Sequence, residues 1–146
     1  MSREILLSIQ EDRIGGHLFH GSIFRSLVEL RPNQAFSHNK PDGTPAVFAS
    51  SSIDPAIFMA VLGKRGKAGW DNYLYGDPFG FYVAESSYEL AQAEHWQGSV
   101  YVVNSSDFDE KGLMMSRSTQ IVPVVCEVNV CFEDLLLDHI NVIGGE

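Results

Sequence analysis

HLFHGSIFRSLVELRP, residues 17–32, places a histidine, a glycine and a serine directly after a short apolar run. The residues before His20, HLF, are typical of a strand. Apolar residues then recur at a helix-like spacing, at Ile23, Phe24, Leu27, Val28 and Leu30. That spacing predicts a short amphipathic helix. The segment therefore predicts a strand, a turn at HGS and a helix, and HGS is either a plain turn or the floor of a binding site.

A second segment, AVFASSSIDPAIFMA, residues 46–60, repeats the order of strand, turn and helix. Its first letters, AVFAS, form an apolar run of strand length. Asp54 followed by Pro55 favours a helix start, because an N-cap carboxylate accepts bonds from unpaired N–H groups and proline suits the first helical position. The first third of the chain thus contains two strands that each lead into a polar turn.

The rest of the chain is rich in strand-type sequence. FGFYVAE and SVYVVN each predict a strand, since both are short runs of apolar and aromatic residues. Ser86 with Glu89 forms a capping-box pattern, which predicts a helix over residues 88–96.

TQIVPVVCEVNVCF, residues 119–132, is the longest strand candidate, and Pro123 within it implies an edge, a bulge or a kink. Cys126 and Cys131 are five apart in this strand, so they would face opposite sides, and we expect no disulfide between them. Residues 1–16 fit either a helix or an opening strand. The expected class is α+β, in a single domain over residues 1–146.

The composition limits the partners that the chain would bind. Ten basic and 19 acidic residues give a formal net charge of −9. Because phosphate backbones are bound mainly through Lys and Arg, we expect no non-specific nucleic-acid binding, whereas the acidic surface suits a protein partner. The sequence has no apolar run long enough to span a membrane and no secretory signal at its start, so the expected location is cytoplasmic.

Common catalytic and metal-binding patterns are missing from the sequence. His17 and His20 are three apart in a segment that reads as extended, where they would face opposite sides. No carboxylate pattern completes a site around them, and we expect no metal. Neither GxSxG, nor GxGxxG, nor the phosphate-binding loop GxxxxGK[ST] occurs.

HGS followed by a short helix and L-x-P, and then VFAS followed by a helix that holds an aromatic residue, resembles the ADP-ribosyltransferase superfamily. That group includes the diphtheria-toxin and poly-ADP-ribose polymerase branches and, more remotely, the RNA 2′-phosphotransferases. The resemblance covers about residues 17–59. It implies an ADP-ribosyltransferase-like split β-sheet core with short flanking helices around a cleft for NAD.

The resemblance assigns roles to the HGS residues. It implies that His20 hydrogen-bonds the adenosine-side ribose of NAD. Gly21 would let the backbone approach the nicotinamide amide, a contact that a Cβ would prevent. Ser22 would bond a ribose hydroxyl or tie the strands together.

The second motif supplies four more positions that the resemblance assigns to NAD: Phe48, Ala49, Ser50 and Phe58. Phe48 lies where a tyrosine often opens this motif. Phe58 lies near the position at which members of the superfamily carry an aromatic residue that stacks on nicotinamide. A following loop, residues 63–80, would close the cleft with Trp70, Tyr73 and Tyr75.

The third motif of active relatives is a glutamate at the start of a late strand, which bonds the nicotinamide-side ribose. If the strand begins near Ser118, the matching position holds Ser118 or Gln120, and Gln120 brings no negative charge. If the site lies deeper, Glu127 is available. Gln120 and Glu127 are therefore the two candidate catalytic residues.

The expected function is that of an NAD-binding ADP-ribosyltransferase-like protein, which transfers ADP-ribose to a protein or nucleic-acid acceptor and releases nicotinamide. Absence of the glutamate points towards mono-transfer. The alternative is a catalytically inactive nucleotide-binding or protein-interaction module on the same fold. A third interpretation is an unrelated α+β protein in which HGS is only a turn.

Overall fold

The computed structural model describes residues 2–12, 15–32, 36–37, 40–41, 45–63, 73–75, 80–112 and 115–144. Its main feature is a six-stranded sheet in which every neighbouring pair of strands is antiparallel. In spatial order the strands are Cys126–Cys131 (β12), Gln97–Asn104 (β8), His17–Ser22 (β1), Val47–Ser50 (β5), Met115–Ser118 (β10) and Glu110–Lys111 (β9).

Smaller sheets surround the main sheet. One pairs Glu29–Leu30 (β2) with Val122–Pro123 (β11), and another pairs Phe36–Ser37 (β3) with Lys40–Pro41 (β4). A third has the order Ile140–Ile143 (β13), Gly80–Ala84 (β7) and Tyr73–Tyr75 (β6). In this third sheet β13 runs parallel to β7.

The helices are short. They are Ser2–Glu11 (α1), Ile53–Phe58 (α2) and Glu85–Glu94 (α3), and α2 continues as a π-helix over Met59–Gly63. Single 3₁₀ turns cover Ser105–Asp107, Phe132–Asp134 and Leu137–His139. The chain is therefore a mixed α and β protein with a large antiparallel sheet, which confirms the coarse class expected from the sequence.

The strands predicted at AVFAS, FGFYVAE and SVYVVN are confirmed as β5, β7 and β8. Residues 1–16 were expected to form either a helix or a strand, and the structure shows a helix, α1. Helix α3 begins three residues before the predicted position, and the residue at its N-cap is Ala84, so Ser86 with Glu89 lies inside the first turns. The helix ends at His95, which adopts a left-handed conformation with φ 52°.

The helix predicted after HGS is wrong. Residues 23–28 form no helix, and Ser26 has a left-handed φ of 63°. The backbone of this segment bonds to side chains from the sheet instead. The Tyr101 hydroxyl accepts from the Leu27 N–H at 3.2 Å and donates to the Phe24 carbonyl at 2.7 Å. These tertiary bonds replace the helical bonds that the apolar spacing suggested.

The long strand predicted over residues 119–132 is broken at Pro123. The residues up to Pro123 form β11, which pairs with β2, whereas β12 begins at Cys126 and pairs with β8. Proline has no N–H for a sheet ladder, which explains why the strand changes partner there. Cys126 and Cys131 stand at the two ends of β12 as free thiols.

Helix α2 begins at Ile53 with Ser52 as its N-cap, so the predicted N-cap at Asp54 is wrong by two residues. The side-chain oxygen of Gln10, on α1, accepts the Ile53 N–H at 2.7 Å and so caps α2 from another helix. Asp54 pairs with Arg3 of α1, with 2.6 Å between carboxylate and guanidinium. Helix α1 therefore fixes the start of α2.

The two faces of the main sheet pack against different elements. One face packs against α2 and its π-helical extension, in a core that includes Phe19, Ile57, Phe58, Val61, Val100, Val102 and Val130. The other face packs under the β2–β11 pair, in a smaller core that includes Leu18, Leu30, Val47, Ala49, Tyr101, Val103 and Val122. Because side chains alternate along a strand, His20 lies on the same face as Leu18, away from α2.

Two glycines let the helix lie directly on the sheet. A Cβ on Gly21 would come within 1.9 Å of the Ala56 carbonyl oxygen, and one on Gly98 within 2.0 Å of the Ala60 carbonyl oxygen. Neither position accepts a side chain without moving the helix backbone. Close packing against α2 therefore explains why the middle residue of HGS is a glycine.

We predict that Gly21→Ala lowers the free energy of unfolding by about 3 kcal/mol, the upper end of the usual overpacking cost, because the clash is with backbone. The measurement is urea unfolding followed by circular dichroism. Gly144→Ala is the matched control, since a Cβ there meets no atom within 4 Å. Equal stability of the two variants would contradict the packing role of Gly21.

Candidate functional site

The two segments that carry HGS and VFAS are neighbours in the sheet. Among the described residues, β1 and β5 pair at one position, Phe19 opposite Ser50. Next to this pair, Nδ1 of His20 lies 2.6 Å from the Phe48 carbonyl oxygen. A side chain thus joins the two strands where the backbone pairing ends, and it joins residues 28 positions apart in the sequence.

This bond sets the proton position on the His20 ring. A carbonyl oxygen only accepts, so Nδ1 must carry the hydrogen. In the neutral imidazole Nε2 is then a hydrogen-bond acceptor, which suits a hydroxyl donor such as that of a ribose.

His20, Tyr101 and Glu127 form a row across three adjacent strands. Tyr101 on β8 pairs directly with His20 on one side and with Glu127 on the other. Directly paired residues have their side chains on the same face, so all three side chains share one face of the sheet. With a strand spacing of about 4.8 Å, the His20 and Glu127 backbones are roughly 10 Å apart.

Three groups hydrogen-bond the Glu127 carboxylate. The Ser26 N–H lies 3.2 and 3.1 Å from its two oxygens, the Ser99 hydroxyl donates to Oε2 at 2.6 Å, and the Tyr101 hydroxyl lies 3.4 Å from Oε2. Arg25 adds a favourable charge. This is the most densely bonded side chain among the predicted site residues.

These contacts shift both ionisable groups of the cluster. The Ser99 hydrogen bond, with further help from Ser26, Tyr101 and Arg25, holds the pKa of Glu127 below its ordinary value. Burial raises the pKa of Tyr101, and the Glu127 charge raises it further. At neutral pH the cluster therefore holds a carboxylate beside a neutral phenol.

The remaining HGS residues are engaged locally. The Cβ direction of Gly21 faces α2, on the opposite side of the sheet from the His20 ring. The Ser22 hydroxyl accepts from the Phe24 N–H at 3.0 Å, which forms a turn at the end of β1.

The VFAS residues mostly form the core. Ala49 and Ser50 are each 1% exposed, and the Ser50 hydroxyl accepts from the Ser52 N–H at 3.0 Å. The half-buried Phe48 ring lies under the Arg117 guanidinium at 5.5 Å, and Arg117 also pairs with Glu110 at 3.2 Å. Phe48 thus contributes its carbonyl to the His20 contact and its ring to a neighbouring cation.

Phe58 lies in the core behind the sheet. It is 1% exposed, and its ring packs against Phe81 with 5.3 Å between centroids. It belongs to the core that α2 covers, whereas the His20 ring is on the opposite face. The structure therefore does not bring Phe58 together with His20, and stacking on nicotinamide would require α2 to move.

Gln120 lies on the other side of β5 from His20. It is exposed, follows the end of β10 and donates its backbone N–H to the Ser118 hydroxyl at 3.2 Å. Ser118 pairs with Val47 at the end of β5. The two catalytic candidates thus flank β1 from opposite sides, Gln120 beyond β5 and Glu127 beyond β8.

Parts of the expected site fall outside the described residues. Trp70 is one of them, and nothing is described of the Tyr73 and Tyr75 side chains, so closure of the cleft by residues 63–80 stays a prediction. In the described part of the chain, no group of three or more His, Cys, Asp or Glu could hold a metal ion. None of the described helices is long and apolar enough to cross a membrane.

Sequence reasoning missed Tyr101, Ser99 and Ser26. A signal for the first two was present, because GSVYVVN alternates Ser99 and Tyr101 with the buried Val100 and Val102. That alternation puts a serine and a tyrosine on one face. Ser26 carried no such signal, since its conformation depends on Glu127, 101 residues away.

No family model, no curated protein and no solved structure matches the chain. The assignment of a function therefore depends on the residues and contacts described above.

We predict that Glu127 makes folding stability depend on acidic pH. Because its pKa in the folded chain lies below the ordinary value, the stabilisation is complete above that ordinary value and is lost as pH falls through the folded pKa. The measurement is urea unfolding of wild type and Glu127→Gln between about pH 3 and pH 7. The wild type should be more stable at neutral pH, and the difference should shrink on acidification. A difference that does not vary with pH would contradict this role.

Proposed function

We propose that this chain is an NAD-binding protein of the ADP-ribosyltransferase type, which transfers ADP-ribose to a protein or nucleic-acid acceptor and releases nicotinamide. The NAD site would lie where β1 and β5 separate, beside His20. Support comes from the resemblance of HGS and VFAS to that superfamily together with their placement on adjacent strands.

The observation that carries the proposal is the bond between His20 Nδ1 and the Phe48 carbonyl. It links the two segments whose sequences suggested an NAD site. With Nδ1 donating to that carbonyl, the neutral imidazole presents Nε2 as an acceptor to which a ribose hydroxyl can donate.

Transfer of ADP-ribose from NAD is favoured by a negative charge near the reacting ribose. An acceptor nucleophile would form a bond to C1′ of the nicotinamide ribose while the C1′–nitrogen bond breaks. The bonding pair returns to the ring nitrogen, so nicotinamide leaves neutral, and the acceptor proton passes to solvent. Positive charge develops on the ribose in between, and a preorganised carboxylate stabilises such charge. Of the two candidate residues, Glu127 carries that charge and Gln120 does not.

A second candidate function has an observation in its favour. The Glu127 carboxylate is already engaged by Ser26, Ser99 and Tyr101. This arrangement favours an inactive nucleotide-binding module on the same fold, in which ligand binding by His20 is kept and transfer is lost.

We predict that wild type binds ADP-ribose and that His20→Ala weakens binding about tenfold, the usual cost of losing one good hydrogen bond in a partly buried site. The measurement is isothermal titration calorimetry. His139→Ala is the matched control, because His139 is exposed in a 3₁₀ turn at the far end of the chain.

Release of nicotinamide from NAD, followed by chromatography, separates the two candidates. Transfer predicts release of nicotinamide that His20→Ala slows about tenfold at NAD concentrations well below Kd, and an inactive module predicts binding without release. If wild type does not bind ADP-ribose or NAD, both candidates are wrong and HGS is only a turn.

A further inference from the structure

The segment between β1 and β2, residues 23–28, is held on the sheet mainly by polar contacts. Phe24 and Val28 are 64% and 81% exposed, so apolar burial contributes little there. Leu27 packs against the core under the β2–β11 pair. Hydrogen bonds join the segment to Tyr101 and Glu127 of the sheet. Arg25 also donates to the Gln97 side chain on β8, and the Val28 carbonyl accepts from the Val124 N–H at 3.2 Å.

Ser26 is the point at which Glu127 acts on this segment. Its φ of 63° is unfavourable for a residue with a side chain, so its surroundings must favour it. In this conformation its N–H points at both carboxylate oxygens. The Ser99 hydroxyl on β8 donates a hydrogen bond to the same carboxylate.

We propose that Glu127 is a positioning residue that holds residues 23–28 against the sheet and thereby forms the wall of the site next to His20. The second half of this proposal rests on the proposed function, because the site is the one suggested for NAD. The segment starts directly after Ser22, so its position decides how closely a ligand can approach the end of β1. In this positioning role Glu127 acts on the site through Ser26.

The charge of Glu127 is part of this role. The titratable and charged groups that interact with it are Tyr101 from β8 and Arg25 from the segment itself. Of these, Arg25 favours the carboxylate and Tyr101 is neutral at ordinary pH. Protonation of Glu127 in acid should therefore release the segment.

The test is amide hydrogen exchange of Ser26 and Leu27, measured by NMR at neutral pH without ligand. In Glu127→Gln these amides should exchange about tenfold faster than in wild type, because a bond to a charged acceptor is replaced by a weaker one. Ser99→Ala is a milder variant that keeps the carboxylate, and it should give a smaller acceleration. Glu133→Gln removes the same charge at the other end of β12, where Glu133 pairs with His95, and should leave both amides unchanged.

The affinity for ADP-ribose tests the second half of the proposal, that residues 23–28 form the wall of the site next to His20. Glu127→Gln should bind about tenfold more weakly, and the loss of wild-type affinity in acid should be absent in this variant. Unchanged exchange at Ser26 and Leu27 overturns the proposal. Faster exchange with unchanged affinity overturns the positioning of the site. If wild type does not bind ADP-ribose, the NAD function fails, and the exchange rates still decide whether Glu127 holds the segment.

Discussion

The close contact of two glycines with α2 and its π-helical extension is the constraint on which the rest of the structure depends. The Ala56 and Ala60 carbonyls occupy the space that side chains at Gly21 and Gly98 would fill. The helix therefore lies directly on β1 and β8 and closes the larger core. Because side chains alternate along a strand, covering Gly21 on one face places His20 on the other.

Fixing His20 in this way also aligns its neighbours. The antiparallel register brings Tyr101 and Glu127 onto the same face, where both bond the segment that follows β1. The polar cluster thus follows from the packing on the opposite face. Gly21 admits the helix on one face of the sheet. The role that the resemblance implies for it, admitting the nicotinamide amide, stays a prediction.

The sequence allowed the strands to be predicted where periodicity and turn residues agreed. VFAS and SVYVVN show this, since each forms a strand of the main sheet. The helix expected after HGS failed because Tyr101 and Glu127 supply distant hydrogen-bond partners that local spacing does not reveal. The break at Pro123 could be anticipated, but the change of partner strand from β2 to β8 could not.

The candidate site was predictable only in part. His20 and Phe48 were singled out, and the structure joins them by a hydrogen bond. Phe58 was expected beside them and lies in the core, because the helix that carries it packs on the other face. Glu127 was one of two late-strand alternatives. Its partners Ser26 and Ser99 are distant in sequence, and this is why its bonding could not be foreseen.

The central claim is that a nucleotide binds where β1 and β5 separate. The most direct measurement is a titration of the ¹⁵N-labelled chain with ADP-ribose, followed through backbone amide shifts. The account predicts saturable shifts concentrated in β1 and β5, with the largest near Gly21 and Phe48, and little change on α1. Saturation without shifts in β1 and β5, or no saturable shift anywhere, would contradict it.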